Sequence, residues 1–151
     1  MSASAADRTL LLEREIKAPL ARVWSVWMNP ETLTQWWGPD GYCCRTKRID
    51  LRAGGAWVFD MIGPDGTVFP NHHRYTLVQH EKRIEYTLLA GENGPKHADA
   101  RVAFEDLGTA TRVRMGMVLA TAEIYAEAKR FGAVELGQQT LGKLARFVGA
   151  R

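Results

Sequence analysis

Between residues 111 and 119 every second side chain is apolar: Val113, Met115, Met117 and Leu119, with Arg112 and Arg114 interleaved. Successive side chains of a strand point to opposite faces, so this run predicts a strand with one dry face and one wet face. The pattern recurs upstream. Trp57, Phe59 and Met61 share a face, as do Ile84, Tyr86 and Leu88, and so do Val102 and Phe104, while Glu85, Arg101 and Glu105 take the other side. Such one-sided alternation belongs to an antiparallel sheet covered on a single face, and the rest of the chain must supply the cover.

The punctuation between these runs is that of hairpins. Arg52-Ala-Gly-Gly55, Gly63-Pro-Asp-Gly66, Glu92-Asn-Gly-Pro95 and Asp106-Leu-Gly-Thr109 each read as a turn. The second is the strongest, with proline at the second turn position and glycine at the fourth. Strands are expected over 8–17, 56–62, 68–79, 83–90, 98–106 and 111–119, forming a meander after the first.

Helices flank this meander. Pro19 suits the first position of a short helix over 20–28. Asn29-Pro30-Glu31 starts a second, over 30–37, with a capping side chain, a residue that has no amide to orphan, and an acid suited to the helix dipole. Thr121 can cap a segment over 122–131, and Gly132 interrupts it. A longer stretch, 133–148, then carries Leu141, Leu144, Ala145 and Val148 at helical spacing. The expected fold is α+β: a curved antiparallel sheet wrapped around this long C-terminal helix, with two short helices after the first strand. Residues 1–8 are expected to be a flexible tail and 9–149 a single domain.

Composition narrows the function. Of 151 residues 46% are hydrophobic and 25% charged, and no apolar run reaches the roughly 20 residues of a membrane span. The start lacks the basic and apolar segments of a secretory signal, so a cytoplasmic location is expected. The net charge of +3 is dispersed; even the group Arg45, Lys47, Arg48 and Arg52 contains Asp50, which argues against a nucleic-acid stripe. Cys43 and Cys44 are neighbours on one strand and face opposite ways, so two free thiols are expected rather than a disulfide. Neither has metal-ligand spacing with His72, His73, His80 or His97, and no metal or cofactor is expected.

The order of elements and several motifs resemble the START-like superfamily. Within it the chain is similar to the activator of heat-shock protein ninety ATPase homologue family, often grouped with polyketide cyclases. The motifs are Ile16-Lys-Ala-Pro19 with Val23-Trp24, Asn29-Pro30-Glu31 leading to Trp36-Trp37-Gly-Pro39, Leu51-Arg-Ala-Gly-Gly-Ala-Trp57, and the hairpin between Met61 and Gly66. Tyr75, Arg83-Ile84 and Tyr86-Thr87 fit the next hairpin, so the resemblance runs from about residue 9 to 149. It implies a helix-grip fold with a cavity between sheet and last helix. The chain departs from the family pattern at two places. His80 replaces a turn proline, and Leu136-Gly137 stands where the family has Gly-Trp. The second departure predicts space that a tryptophan at 137 would refill.

Candidate ligand-binding residues follow from the dry strand faces and the helix facing them. From the sheet they are Trp57, Phe59, Tyr75, Tyr86, Phe104, Met115 and Met117. From the last helix they are Leu136, Gly137, Thr140 and Leu144. Of Trp36 and Trp37, one is expected in the core and one at the cavity mouth. Binding of a small hydrophobic or amphipathic ligand is the leading expectation, without intrinsic catalysis. Titratable groups on the dry faces are few: Tyr86, Tyr75 and His73. His72 and His73 should face opposite ways, and a surface or strand-end position is expected for His73 rather than a catalytic one. An enzyme of the cyclase or hydrolase type, or a co-chaperone contacting a heat-shock ATPase, are the alternatives. Either a monomer or a homodimer is compatible with the sequence.

Overall fold

A computed structural model describes residues 4–149. Seven strands form one antiparallel sheet: β1 (Thr9–Ile16), β2 (Cys43–Ile49), β3 (Ala56–Ile62), β4 (Val68–Gln79), β5 (Arg83–Leu89), β6 (Lys96–Asp106) and β7 (Thr111–Leu119). Their spatial order is β1-β7-β6-β5-β4-β3-β2. Six strands follow one another as hairpins, and the first closes on the last, with Leu10 opposite Met117 and Leu12 opposite Met115. α1 (Leu20–Trp27) and α2 (Pro30–Trp36) lie between β1 and β2; α3 (Ala122–Phe131) and α4 (Ala133–Gly149) end the chain.

The local chemistry explains the boundaries. Asn29 caps α2, its side chain accepting from the Glu31 amide at 2.9 Å. The Thr121 hydroxyl accepts from the Ile124 amide at 3.1 Å and starts α3. Gly132, at φ +80°, ends α3 in the left-handed conformation that costs glycine nothing, and α4 sets off in a new direction.

The alternation sorts the faces as expected. Val102, Val113 and Ile84 are fully buried, whereas Arg101, Glu105 and Arg114 are exposed. Leu141, Leu144 and Val148 of α4 pack with Ile16, Trp27, Trp36 and Phe104 in one large cluster. Each such fully buried side chain contributes roughly 1.5–3 kcal/mol.

Part of the segment 1–8 has described structure. Residues 1–3 lie outside the described residues, but Ala6–Arg8 form a 3₁₀ turn, and the Arg8 guanidinium donates to the Leu119 carbonyl. Strand β6 begins at Lys96, two residues before the alternation becomes visible. Cys43 is exposed and Cys44 partly buried; both are free.

Candidate functional site

The C-terminal half of α4 is packed against the sheet throughout, whereas the N-terminal half touches it only in part, with Gly137 against Leu12 and Gln138 donating to the Glu13 carbonyl at 3.1 Å. Between its first two turns and strands β1, β7, β6, β5 and β4 lies a hollow of about 270 Å³. Its floor is a row of paired residues crossing the sheet, Leu10 to Met117 to Ala100 to Tyr86. Its roof is Ala133, Val134, Leu136, Gly137 and Thr140 of α4, and Trp37 with Gly38 and Pro39 forms one wall. Phe131, which is 61% exposed at the α3–α4 break, also borders the hollow.

Seven of the sequence candidates line this space: Trp37, Tyr86, Met115, Met117, Leu136, Gly137 and Thr140. The other six, Trp36, Trp57, Phe59, Tyr75, Phe104 and Leu144, do not border it. They belong to the filled cluster instead. Alternation assigns a residue to the dry face but does not say where along that face packing is incomplete. The tryptophan pair divides as expected. Trp36 is buried, its indole nitrogen donating to the Val26 carbonyl at 3.4 Å, and Trp37 is half-buried beside the hollow.

His73 corrects an expectation. It is 3% exposed and lines the hollow, not a strand end or the outer surface. His72 does face the other way, with Nδ1 donating to the Glu92 carbonyl at 3.2 Å. The His73 ring stacks on Tyr86, with centroids 4.3 Å apart and planes 19° from parallel. Trp57, Phe59 and Trp37 meet it edge-on at 5.3, 5.1 and 5.5 Å. Burial, with a smaller effect from His72, holds its pKa down at about 3, so the ring is neutral at pH 7. Burial also pushes the phenol of Tyr86 well above its ordinary range.

Leu10 and Leu12 are further wall residues that the sequence candidates omitted. Their own alternation on β1 was the available signal, but its use required knowing that β1 pairs with β7. His97 and Asn71 were also missed, because both sit near strand ends where polar residues are ordinary.

Gly137 carries a second correction. A Cβ there would stand 2.8 Å from Cδ2 of Leu12, inside van der Waals contact. The glycine therefore lets α4 approach β1 closely, and the empty space lies beside that contact rather than directly beneath it.

Over residues 17–149 the chain matches the family described as Activator of Hsp90 ATPase homolog 1-like protein. The chain belongs to this family. Its fold is that of protein Ms6760 from Mycobacterium smegmatis, at 24% identity and TM-score 0.86, covering 97% of this chain and 94% of that one. Protein NE0264 from Nitrosomonas europaea is similar at 27% identity and TM-score 0.82, with 96% of both chains covered. Protein CV1439 from Chromobacterium violaceum is similar at 26% identity and TM-score 0.77, covering 93% and 96%. A search of curated proteins gave no match. Among the described residues no helix is long and apolar enough to cross a membrane, and no cluster of His, Cys, Asp and Glu could hold a metal ion.

Proposed function

We propose that this protein binds a small hydrophobic or amphipathic molecule between the sheet and the first turns of α4, and performs no chemistry of its own on it. The observation that carries this reading is the hollow of about 270 Å³, walled by aliphatic, sulfur and aromatic side chains with a few polar groups. That is the usual make-up of a small-molecule site. The titratable groups favour binding over turnover. General acid–base catalysis works best with a pKa near the operating pH. His73, at about 3, is too weak a base, and Tyr86, raised far above neutrality, is too weak an acid. A cytoplasmic location is part of the same proposal.

Apolar fluorescent probes and small aromatic compounds should raise the melting temperature and quench Trp37. A ligand at 100 times its Kd adds about 2.7 kcal/mol to stability. No shift with any such compound would defeat the reading. Ester, lactone or cyclisation turnover that disappears in His73→Ala would replace it with an enzyme. The family description favours one further reading, a chaperone contact. Stimulation of a purified heat-shock ATPase by this chain would support it, and an unchanged ATPase rate would end it.

A further inference from the structure

The hollow carries no formal charge. Among its 21 lining residues there is no Asp, Glu, Lys or Arg. The nearby ions are turned elsewhere. Lys143 donates to the carbonyls of Pro39 and Tyr42, at 3.4 and 3.3 Å. Arg114 and Glu13 pair at 2.8 Å on the outer face of the sheet. A carboxylate or ammonium entering this space would lose its water and find no counter-ion, which is severely unfavourable.

Polar capacity is nevertheless present. Asn71 uses one amide N–H on the Phe69 carbonyl at 2.8 Å and Thr140 its hydroxyl proton on the Leu136 carbonyl at 3.3 Å, so both are only in part engaged and keep acceptor capacity, and His97 also lines the space. His73 and Tyr86 differ: no side-chain hydrogen bond joins either to any described residue. Yet among the described residues no sealed polar atom lacks a partner. The ring nitrogens of His73 and the phenol of Tyr86 are therefore not sealed, and the space both residues line is the hollow. A neutral imidazole offers one donor and one acceptor, and a phenol offers both. The stack between them, with Trp57 and Phe59 against His73, fixes their positions before any ligand arrives.

Resting on ligand binding in this hollow, we propose that it selects an uncharged, mostly apolar molecule about the size of two fused rings, bearing one ketone or hydroxyl oxygen held by His73 and Tyr86. A ketone would accept from the phenol and the imidazole N–H. A hydroxyl would donate to the free ring nitrogen and accept from the phenol. The size follows from a hollow just below the roughly 300–1,000 Å³ typical of pockets for drug-sized ligands.

Four naphthalenes that share a skeleton test this by calorimetry: 2-acetylnaphthalene, 2-naphthol, 2-ethylnaphthalene and 2-naphthoate. The ketone and the naphthol should bind at least about 10-fold tighter than the ethyl compound, the worth of one buried hydrogen bond. Naphthoate should bind at least about 10-fold more weakly than the ketone. In the variant carrying His73→Phe and Tyr86→Phe the ketone should lose its advantage while the ethyl compound keeps its affinity. If that variant does not fold, the four affinities of the unaltered protein decide alone. Naphthoate matching the ketone would overturn the proposal, and so would an ethyl compound as tight as the ketone; in either case ligand binding itself would stand. Failure of all four to bind would overturn both.

Discussion

The two halves of α4 face the same sheet and do opposite things with it. Toward its C-terminus, Leu141, Leu144 and Val148 are each almost wholly buried, and they meet large side chains at every point: Ile16, Trp27, Trp36 and Phe104. Toward its N-terminus, Gly137 stands against Leu12, and Leu136 and Thr140 border the hollow opposite Met115, Met117 and Ala100. Both halves have helical spacing of apolar residues. The difference arises from the partners: α1 and α2 bring Trp24, Trp27 and Trp36 into the cluster at one end, whereas Trp37 and Phe131 border the other without filling it. α3 also reaches that end, where Ile124, Tyr125 and Ala128 pack with Leu10, Ala98 and Leu119 beside the gap.

Truncation separates the two halves most strongly. Leu144→Ala should cost about 2–5 kcal/mol, because the tightly packed surroundings cannot collapse around the deleted atoms. Leu136→Ala already borders empty space and should cost about 1 kcal/mol or less. Denaturant titration of both variants checks this, and equal losses would erase the distinction.

A smaller effect comes from pH. His73 is held neutral in the folded protein at about 3, against an ordinary 6.5 when unfolded. Its contribution to stability is therefore complete above pH 6.5 and is lost as the unfolded chain takes up the proton on acidification. The loss reaches about 3 kcal/mol by pH 4. The titratable groups around it are His72, Tyr75, Tyr86 and, across the hollow, His97, whose pKa is also lowered by burial. Urea midpoints at pH 7 and pH 4 should differ less in His73→Phe than in the unaltered protein. An identical difference would place the histidine outside the hydrophobic interior.

Gly137→Trp probes the boundary between the halves. Because Leu12 stands against the position of any Cβ, the large side chain has to displace it. The variant should melt below Gly137→Ala, by the equivalent of about 1–3 kcal/mol, and lose the apolar probes. A tryptophan variant that melts above the alanine control would restore the simpler idea of a vacated aromatic site. The mildest test costs no stability at all. The Cys44 thiol lies behind Trp37, donates to its carbonyl at 3.5 Å, and burial raises its pKa to about 12. At pH 8 a thiol reagent should modify Cys43 quickly and Cys44 only on unfolding. Rapid modification of both, seen by intact-mass analysis, would mean that the wall behind Trp37 is open.

The layout was legible because alternation, turn residues and helix caps are local signals. Asn29, Thr121 and Gly132 each do in the structure what their chemistry predicts. The hollow was legible only in part. Whether Phe104 or Met115 borders empty space depends on which side chains arrive from distant elements, and no periodicity records that. Trp24 and Trp27, five and eight residues after Pro19 and set on the buried face of α1, decide that Phe104 is packed: they meet its ring edge-on at 5.2 and 5.4 Å. His73 misled for a related reason. A histidine beside another histidine in a strand looks solvated until the aromatic neighbours of Trp57, Phe59 and Tyr86 are known to converge on it.

The pairing of β1 with β7 has a consequence for how the chain acquires its shape. Residues 9–16 leave the ribosome about a hundred positions before residues 111–119, with which they pair among the described residues. The meander from β2 to β7 joins neighbours in sequence and can form as it emerges, whereas the closing contact has high sequence separation and is slow to form. Until then β1 is an unpaired edge bearing Leu10, Leu11 and Leu12, the kind of segment on which nascent chains aggregate. Since Leu10 and Leu12 border the hollow, it is completed only when β1 joins β7, and a ligand cannot guide any step of folding that comes before that.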